Sequence, residues 1–322
     1  MAKGNRDPIW HHYIPQTYLK HFCDAGGTLL VHAKNPEFVP KRLRPNATGA
    51  AKDFYTWQRS SGEKERRAFE EIFSAFAEKP WNQLVRKMDQ GYAMDDNDLV
   101  SLSSFICLQH ARVPAIRDGV EERLAGRIVE QLRAKHAAGE LPPLPRGLSI
   151  EEVVASVDPS TSLETLEEGI EFARLAMNRV TFRIVRNETA LEFVTSDNPV
   201  VWFDPSTLSS PNFSPYVLSP NGPTVFIFPV NPRICLVGSS SEEGFGWDQI
   251  VTSDEAYVGR LNDMVIRFAH RWVYSNQYDA SSLVTLHGDR SPVVREKTFI
   301  DGRGNSRRVW QWTFGPIKPK KK

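Results

Sequence analysis

The chain has 322 residues, 40% hydrophobic and 25% charged, and its 40 Lys and Arg against 39 Asp and Glu leave a formal net charge of +1. This is ordinary globular usage, enough for one large domain or two smaller ones, and no overall field recruits nucleic acid or a membrane, although a local basic patch stays open. Cys23, Cys107 and Cys235 are odd in number and widely spaced. They read as reduced thiols of a cytoplasmic protein, and without a Cys-x-x-Cys pair a thiolate zinc site is disfavoured. There is no apolar leader and no run of bilayer-spanning length, so a membrane is not an expected partner.

In chain order, the first informative run is His11-His12-Tyr13-Ile14-Pro15-Gln16-Thr17-Tyr18-Leu19-Lys20-His21-Phe22. Pro15 suits the start of a short helix, and Tyr18, Leu19 and Phe22 share one face of it, which would tie down an end that otherwise frays. Thr28–Ala33 follows Gly26-Gly27 and reads as a strand. Pro36, Pro40 and Pro45 keep the basic stretch Lys41-Arg42-Leu43-Arg44 extended, and Asp53–Trp57 reads as another strand.

Helical signals run from Gly62 to about Val180. Phe69, Ile72, Phe73 and Phe76 recur at helical spacing, and Pro80 kinks or restarts that helix. Asp96 or Asn97 is the expected cap of the next helix, whose Leu99, Val100, Leu102, Phe105, Ile106 and Leu108 surround most of it and place it at the centre. Pro114 opens another helix through Ile116, Val120, Leu124, Ile128 and Leu132, which ends before Leu141-Pro142-Pro143-Leu144-Pro145. Ser149 with Glu152, and Thr161 with Glu164, form capping-box patterns.

From Thr181 the period changes to two. Residues 182–185, 191–194, 224–228, 233–237 and 308–312 read as strands, with one helix from Asp254 to Ala269 between them. The expected fold class is α+β: a central, mostly helical block with a largely antiparallel sheet built from the C-terminal half and N-terminal strands. Residues 1–317 are expected to form a single domain, and Lys318-Pro319-Lys320-Lys321-Lys322 a disordered basic tail.

Three clusters could carry chemistry. His11 and His12, with Gln16, supply imidazoles that bind a metal, move protons or grip phosphate; the alternative is local packing and hydrogen bonding. Gln109 and Arg112 share a helix face just before Pro114, where the guanidinium offers a fork for phosphate or carboxylate; the alternative is a structural ion pair, with Asp197 the first candidate partner. Asp197 and Asn198 lie in Thr195-Ser196-Asp197-Asn198-Pro199 between strand-like runs, a place for catalytic residues and also a common turn. No Gly-x-x-x-x-Gly-Lys, Gly-x-Gly-x-x-Gly, Gly-x-Ser-x-Gly or His-Glu-x-x-His pattern occurs, which demotes an NTPase, a nicotinamide enzyme, an α/β-hydrolase and a zincin.

Taken together, His-His-Tyr-Ile-Pro-Gln-x-Tyr-Leu-x-x-Phe at 11–22, Gln109-x-x-Arg112-x-Pro114, Thr195–Pro199 and the late Val273-Tyr274-Ser275 resemble the DUF4238 family, over about residues 10 to 280. The resemblance implies that these clusters are the family's hallmark positions, and it brings no established reaction. The first expectation is a hydrolase acting on a phosphodiester or other phosphate-bearing substrate, most economically a nuclease-like effector of phage defence. His11 or His12 would be the base, or would hold a divalent metal with Asp197. Arg112 would clamp phosphate, and Gln16, Gln109 and Asn198 would position substrate or water. The alternative is a non-catalytic nucleic-acid or protein binding module around a structural polar network. Convergence of these groups in one solvent-connected pocket favours the enzyme; full burial with mutual satisfaction favours the module.

Overall fold

Helix-forming and strand-forming stretches segregate along the chain, and the result is the expected α+β fold with mostly antiparallel sheets. The computed structural model describes residues 9–58, 64–65, 71, 73, 79–145, 147–155, 157, 166–211, 213–241, 247–300 and 306–317. Phe69, Ile72 and Phe76, the Thr161–Glu164 pattern and the tail 318–322 lie outside them. The first half contains β1 (Trp10–His12), α1 (Gln16–Leu19), β2 (Leu29–Ala33), β3 (Lys41–Leu43), β4 (Ala50–Lys52), β5 (Trp57–Gln58) and β6 (Lys64–Glu65). Among the described residues there follow the helices α2 (Lys79–Gln90), α3 (Asp96–Ala111), α4 (Pro114–Ala137) and α5 (Leu166–Met177). The second half runs β7 (Thr181–Asn187), β8 (Thr195–Ser196), β9 (Val201–Phe203), β10 (Val225–Asn231), β11 (Ile234–Ser239), β12 (Asp248–Thr252), α6 (Glu255–Phe268), β13 (Trp272–Ser275), α7 (Ser281–His287), β14 (Arg290–Ile300) and β15 (Ser306–Pro316).

A five-stranded sheet has the order β12-β7-β11-β10-β9, with only the β12–β7 pair parallel. A four-stranded sheet, β3-β2-β13-β8, joins the N-terminal strands to the C-terminal half. The core lies between helices and sheets. Its hub is Trp81 of α2 stacked on Phe105 of α3 at 4.1 Å, with Tyr18 and Phe228 of β10 against both. The N-terminal motif is therefore core: Tyr13, Ile14, Tyr18, Leu19 and Phe22 are all buried.

Several boundaries differ from expectation for identifiable reasons. The cap of α3 is Asp95, one residue before Asp96. Its carboxylate accepts from the Asp98 amide at 2.9 Å while Asp98 accepts from the Asp95 amide at 3.0 Å, a reciprocal box that Asp96 and Asn97 do not make. Val100 is exposed, so α3 is buried mainly in its C-terminal half. Residues 53–55 turn instead of extending, with Asp53 at φ 52, a conformation aspartate tolerates. The expected strand at 191–194 is also absent. Phe193 and Val194 are buried as a strand reading requires, but their amides donate to Pro232 O and Asn262 Oδ1 and not to a ladder. The short helix α7 and strands β12, β13 and β14 were not anticipated. Among the described residues, no single helix is long and apolar enough to cross a membrane.

The last two strands form an antiparallel ribbon, in register from Arg290↔Pro316 to Ile300↔Ser306, that lies on α4. Two glycines seven residues apart on α4 make this contact. A Cβ at Gly119 would fall 2.3 Å from the Trp312 ring, and one at Gly126 2.1 Å from the Trp310 ring. Glycine inside a helix costs about 1 kcal/mol relative to alanine, so these positions make sense only with the indoles seated on them. Gly119→Leu is expected to cost about 1–3 kcal/mol and to lift β15 from α4. The check is a red shift of tryptophan emission with the far-ultraviolet circular dichroism retained; an unshifted spectrum would contradict the contact.

Candidate functional site

The first cluster is built on β1. This strand pairs with β4, and the Tyr13 and Ile14 amides both donate to Gly49 O. Gly49 has φ +65, and a Cβ there would stand 3.2 Å from Ile14 Cβ, so the N-terminal motif closes over a backbone only glycine accommodates. Adjacent residues of a strand face opposite ways, and the two histidines do so. His11 is wholly buried, stacked near Tyr55, and its Nδ1 accepts the Tyr55 amide at 2.8 Å. That amide can only donate, so Nδ1 is unprotonated and its lone pair is occupied. His12 is half-buried, with Gln16 Nε2 at 3.5 Å from its Nδ1, a loose contact.

Tyr55 connects this cluster to the second. Its hydroxyl donates to Arg112 O at 2.9 Å, and Arg112 is the C-terminal cap of α3. Arg112 is buried; its Nε donates to Gln109 Oε1 at 3.2 Å and its guanidinium lies over the Phe73 ring. Gln109 Nε2 in turn donates to Tyr13 O at 3.2 Å. His11, Tyr55, Arg112, Gln109 and Tyr13 thus form one continuous network. The i,i+3 spacing of Gln109 and Arg112 does place them on one face, where they bond to each other.

The third cluster lies on β8 and the residues after it. Asp197 is wholly buried, and its two oxygens accept the amides of His270 at 2.8 Å and Arg271 at 2.9 Å, just beyond α6. Among the described ion pairs none joins Asp197 to Arg112, so the expected fork–carboxylate pair is replaced by backbone donors. Burial pushes the Asp197 carboxyl up to about 6, against the opposing pull of the Arg271 and His270 amides. Lys34 shares its field: burial pushes this ammonium down to about 7, Asp197 pulls it back, and its Nζ donates to Arg267 O at 3.0 Å and Arg290 O at 2.7 Å. Asn198 Nδ2 donates to Tyr216 OH at 2.6 Å and Phe268 O at 2.8 Å. Tyr18 joins the first and third clusters, its hydroxyl lying 2.6 Å from Thr195 Oγ1 and donating to Pro229 O at 2.7 Å.

The structure therefore gathers the three clusters, but into a sealed clasp. Of the seven named side chains, His11, Gln109, Arg112, Asp197 and Asn198 are buried, and His12 and Gln16 are half-buried. Among the described residues, no three His, Cys, Asp or Glu side chains gather in a way that could hold a metal ion. The cysteines are free thiols. Sequence reasoning missed Lys34, Tyr55, His110 and Tyr216. For Tyr55 a signal existed in its aromatic neighbourhood, whereas a lysine between an alanine and an asparagine carries none. His110 is the least expected: wholly buried at the end of α3, 4.5 Å from the Trp202 ring and 5.1 Å from Tyr216, with neither ring nitrogen hydrogen-bonded among the described residues. Burial pushes it down to about 3.

A family model described as a protein of unknown function, DUF4238, matches residues 10–279, which contain all three clusters and stop short of the β14–β15 ribbon. No curated protein matches the chain, and no solved structure does.

Proposed function

The chain belongs to the DUF4238 family, and we propose that it is a nucleic-acid-binding module whose hallmark residues hold the fold while its C-terminal ribbon makes the contact. The carrying observation is the segregation of charge. Residues 290–322 contain ten Lys and Arg against two Asp and Glu, a net +8, so residues 1–289 are net −7 within a chain of +1. A polyanion is repelled by most of the molecule and attracted by this segment. A two-stranded ribbon is also a shape that enters a nucleic-acid groove. On it Arg290 is exposed, and Arg308 is exposed beside Glu296 at 3.3 Å. The sealed clasp supports the same reading, because lone pairs a catalyst would use are occupied by backbone amides.

The test is fluorescence anisotropy with a labelled single strand and duplex over a salt series. Affinity is expected to fall steeply with salt, and Arg290→Glu with Arg308→Glu is expected to flatten the slope by roughly one unit per lost phosphate contact. Binding that is absent, or that ignores both substitutions, would overturn the reading. A phosphodiester hydrolase is the second reading. What favours it is that two buried ionisable groups, Lys34 at about 7 and Asp197 at about 6, stand in each other's field near neutrality, a pattern found at working sites. Degradation of RNA or DNA by the purified protein, abolished in Asp197→Asn, would move the function to that pair.

A further inference from the structure

We propose that the groove between helices α3 and α5 receives the apolar end of the β14–β15 ribbon from a second copy of the chain. The inference stands apart from the nucleic-acid reading and accounts for two apolar surfaces that reading leaves unused. The groove measures about 390 Å3 and opens to solvent. Its two helices run antiparallel, since Gly169 of α5 lies against Ala111 of α3 and Cys107 of α3 against Met177 of α5. Leu99, Val100 and Cys107 line it from α3, Ile170 from α5, and Trp247 from the residue before β12. Val100 is 65% exposed. Trp247 is held at φ 81, a conformation that a bulky residue rarely adopts and that marks working surfaces more often than plain ones.

The ribbon carries the counterpart. At its distal end Phe299 pairs with Arg307 and Ile300 with Ser306, and Phe299 and Ile300 are 46% and 76% exposed. Neighbouring large apolar side chains left in water point to a partner surface. Being exposed, they are not seated in the groove of their own chain. Charge selects the second copy as that partner. Asp96 lies one turn before Val100 and Glu167 one turn before Ile170, so both faces that line the groove run out into carboxylates, and Asp248 follows Trp247. All three are exposed, and among the described residues none is in an ion pair. The groove's own cation, Arg174, is already held by Glu171 through two bonds of 2.8 and 2.6 Å. Around the apolar end of the ribbon, residues 295–308 hold five Lys and Arg against two Asp and Glu. An apolar groove with an acidic rim thus matches an apolar end with a basic collar, whereas an anionic strand or lipid would meet repulsion at that rim. Each copy presents both halves, so exchange about a two-fold axis makes the contact twice and closes the pair.

Sedimentation velocity of the full chain over roughly 1–100 μM, at low and at high salt, reads the association. Phe299→Ser with Ile300→Ser removes the apolar end and keeps the ribbon's charge. Val100→Arg sets a like charge against the incoming ribbon. All three positions are exposed, so neither variant disturbs the core. The wild type is expected to self-associate, less so in salt, and each variant to raise the dissociation constant by about tenfold or more, the scale of one lost anchor residue. An equimolar mixture of the two variants is expected to recover part of the association, because the intact end of one meets the intact groove of the other. A wild type that stays monomeric over the whole range overturns the proposal, as does association that survives both variants or a mixture no stronger than either variant alone. If the Phe299→Ser, Ile300→Ser chain loses oligonucleotide binding while self-association is unchanged, the proposal fails and the end of the ribbon belongs to the nucleic-acid contact.

Discussion

Replacing Asp197 by alanine is expected to lower the free energy of unfolding by about 3 kcal/mol at neutral pH without weakening nucleic-acid binding. Removal leaves the buried amides of His270 and Arg271 without acceptors, at roughly 1–3 kcal/mol each, and takes the counter-charge from Lys34. Relief of the carboxylate's own desolvation opposes this, and at neutral pH the lost bonds dominate. The pH dependence gives a sharper check. The folded-state pKa of Asp197 is raised to about 6, so the folded protein binds a proton more tightly than the unfolded chain does. The proton-linked part of the Asp197 contribution is therefore fully present below about pH 4 and is lost as pH rises through 6, which leaves the bonds to the two amides as its contribution at neutral pH. The gap between wild type and Asp197→Ala should widen as pH falls from 6 to 4, by about 1 kcal/mol per unit. Denaturant midpoints across that range measure it. A variant as stable as wild type that no longer binds, or no longer cleaves, would place Asp197 at a working surface and not in the clasp.

Where a residue's role depends on local pattern, the sequence was readable. Tyr18, Leu19 and Phe22 lie on one buried face after Pro15, Gln109 touches Arg112 one helical turn on, and Ser149 and Glu152 form a capping box. The period-two runs at 182–185 and 233–237 became neighbouring strands β7 and β11. Where the role depends on what lies across the fold, pattern alone was insufficient. Phe193 and Val194 have the apolar character of a strand and the burial of one, but the register around them is set by Asn262, nearly seventy positions away. Asp197 looked like a partner for a guanidinium because sequence displays side chains and hides backbone donors; its partners are two amides after α6. The same limit applies to Gly119 and Gly126, which read as flaws in a helix until Trp310 and Trp312 are placed on them.

The clasp also gives the motif's density of polar groups a structural role. His11 fastens Tyr55, Tyr55 fastens the end of α3, and Tyr18 fastens β8, so polar side chains join segments that are far apart in the chain. Each substitution there strands a buried partner, a strong structural reason for these residue types at these positions. The ribbon meets that network only at its base, where Lys34 Nζ donates to Arg290 O at 2.7 Å and Ser291 Oγ to His270 O at 2.5 Å. Positive charge accumulates over residues 290–322, on the ribbon and the basic tail after it together, and these lie outside the residues matched by the family model.

His110 gives the second large effect, with the opposite pH trend. Its ring sits among Trp202, Tyr216 and Phe172, and burial alone pushes its pKa to about 3 from the usual 6.5. Between those values the unfolded chain binds a proton that the folded protein refuses, so stability rises with pH across the interval and is lost as the solution is acidified. The full swing is about 4–5 kcal/mol, a large part of the stability of an ordinary domain. His110→Phe keeps a flat ring in an aromatic box and removes the titration. It is expected to match or exceed wild-type stability at pH 7, because two unbonded ring nitrogens leave the core, and to flatten the acid limb between pH 6 and 4. Unfolding midpoints of both proteins over that range decide the matter. Parallel acid limbs would mean that another group carries the acid sensitivity. A His110→Phe protein much less stable than wild type at pH 7 would mean that the imidazole is held by a bond that its aromatic neighbours alone do not provide.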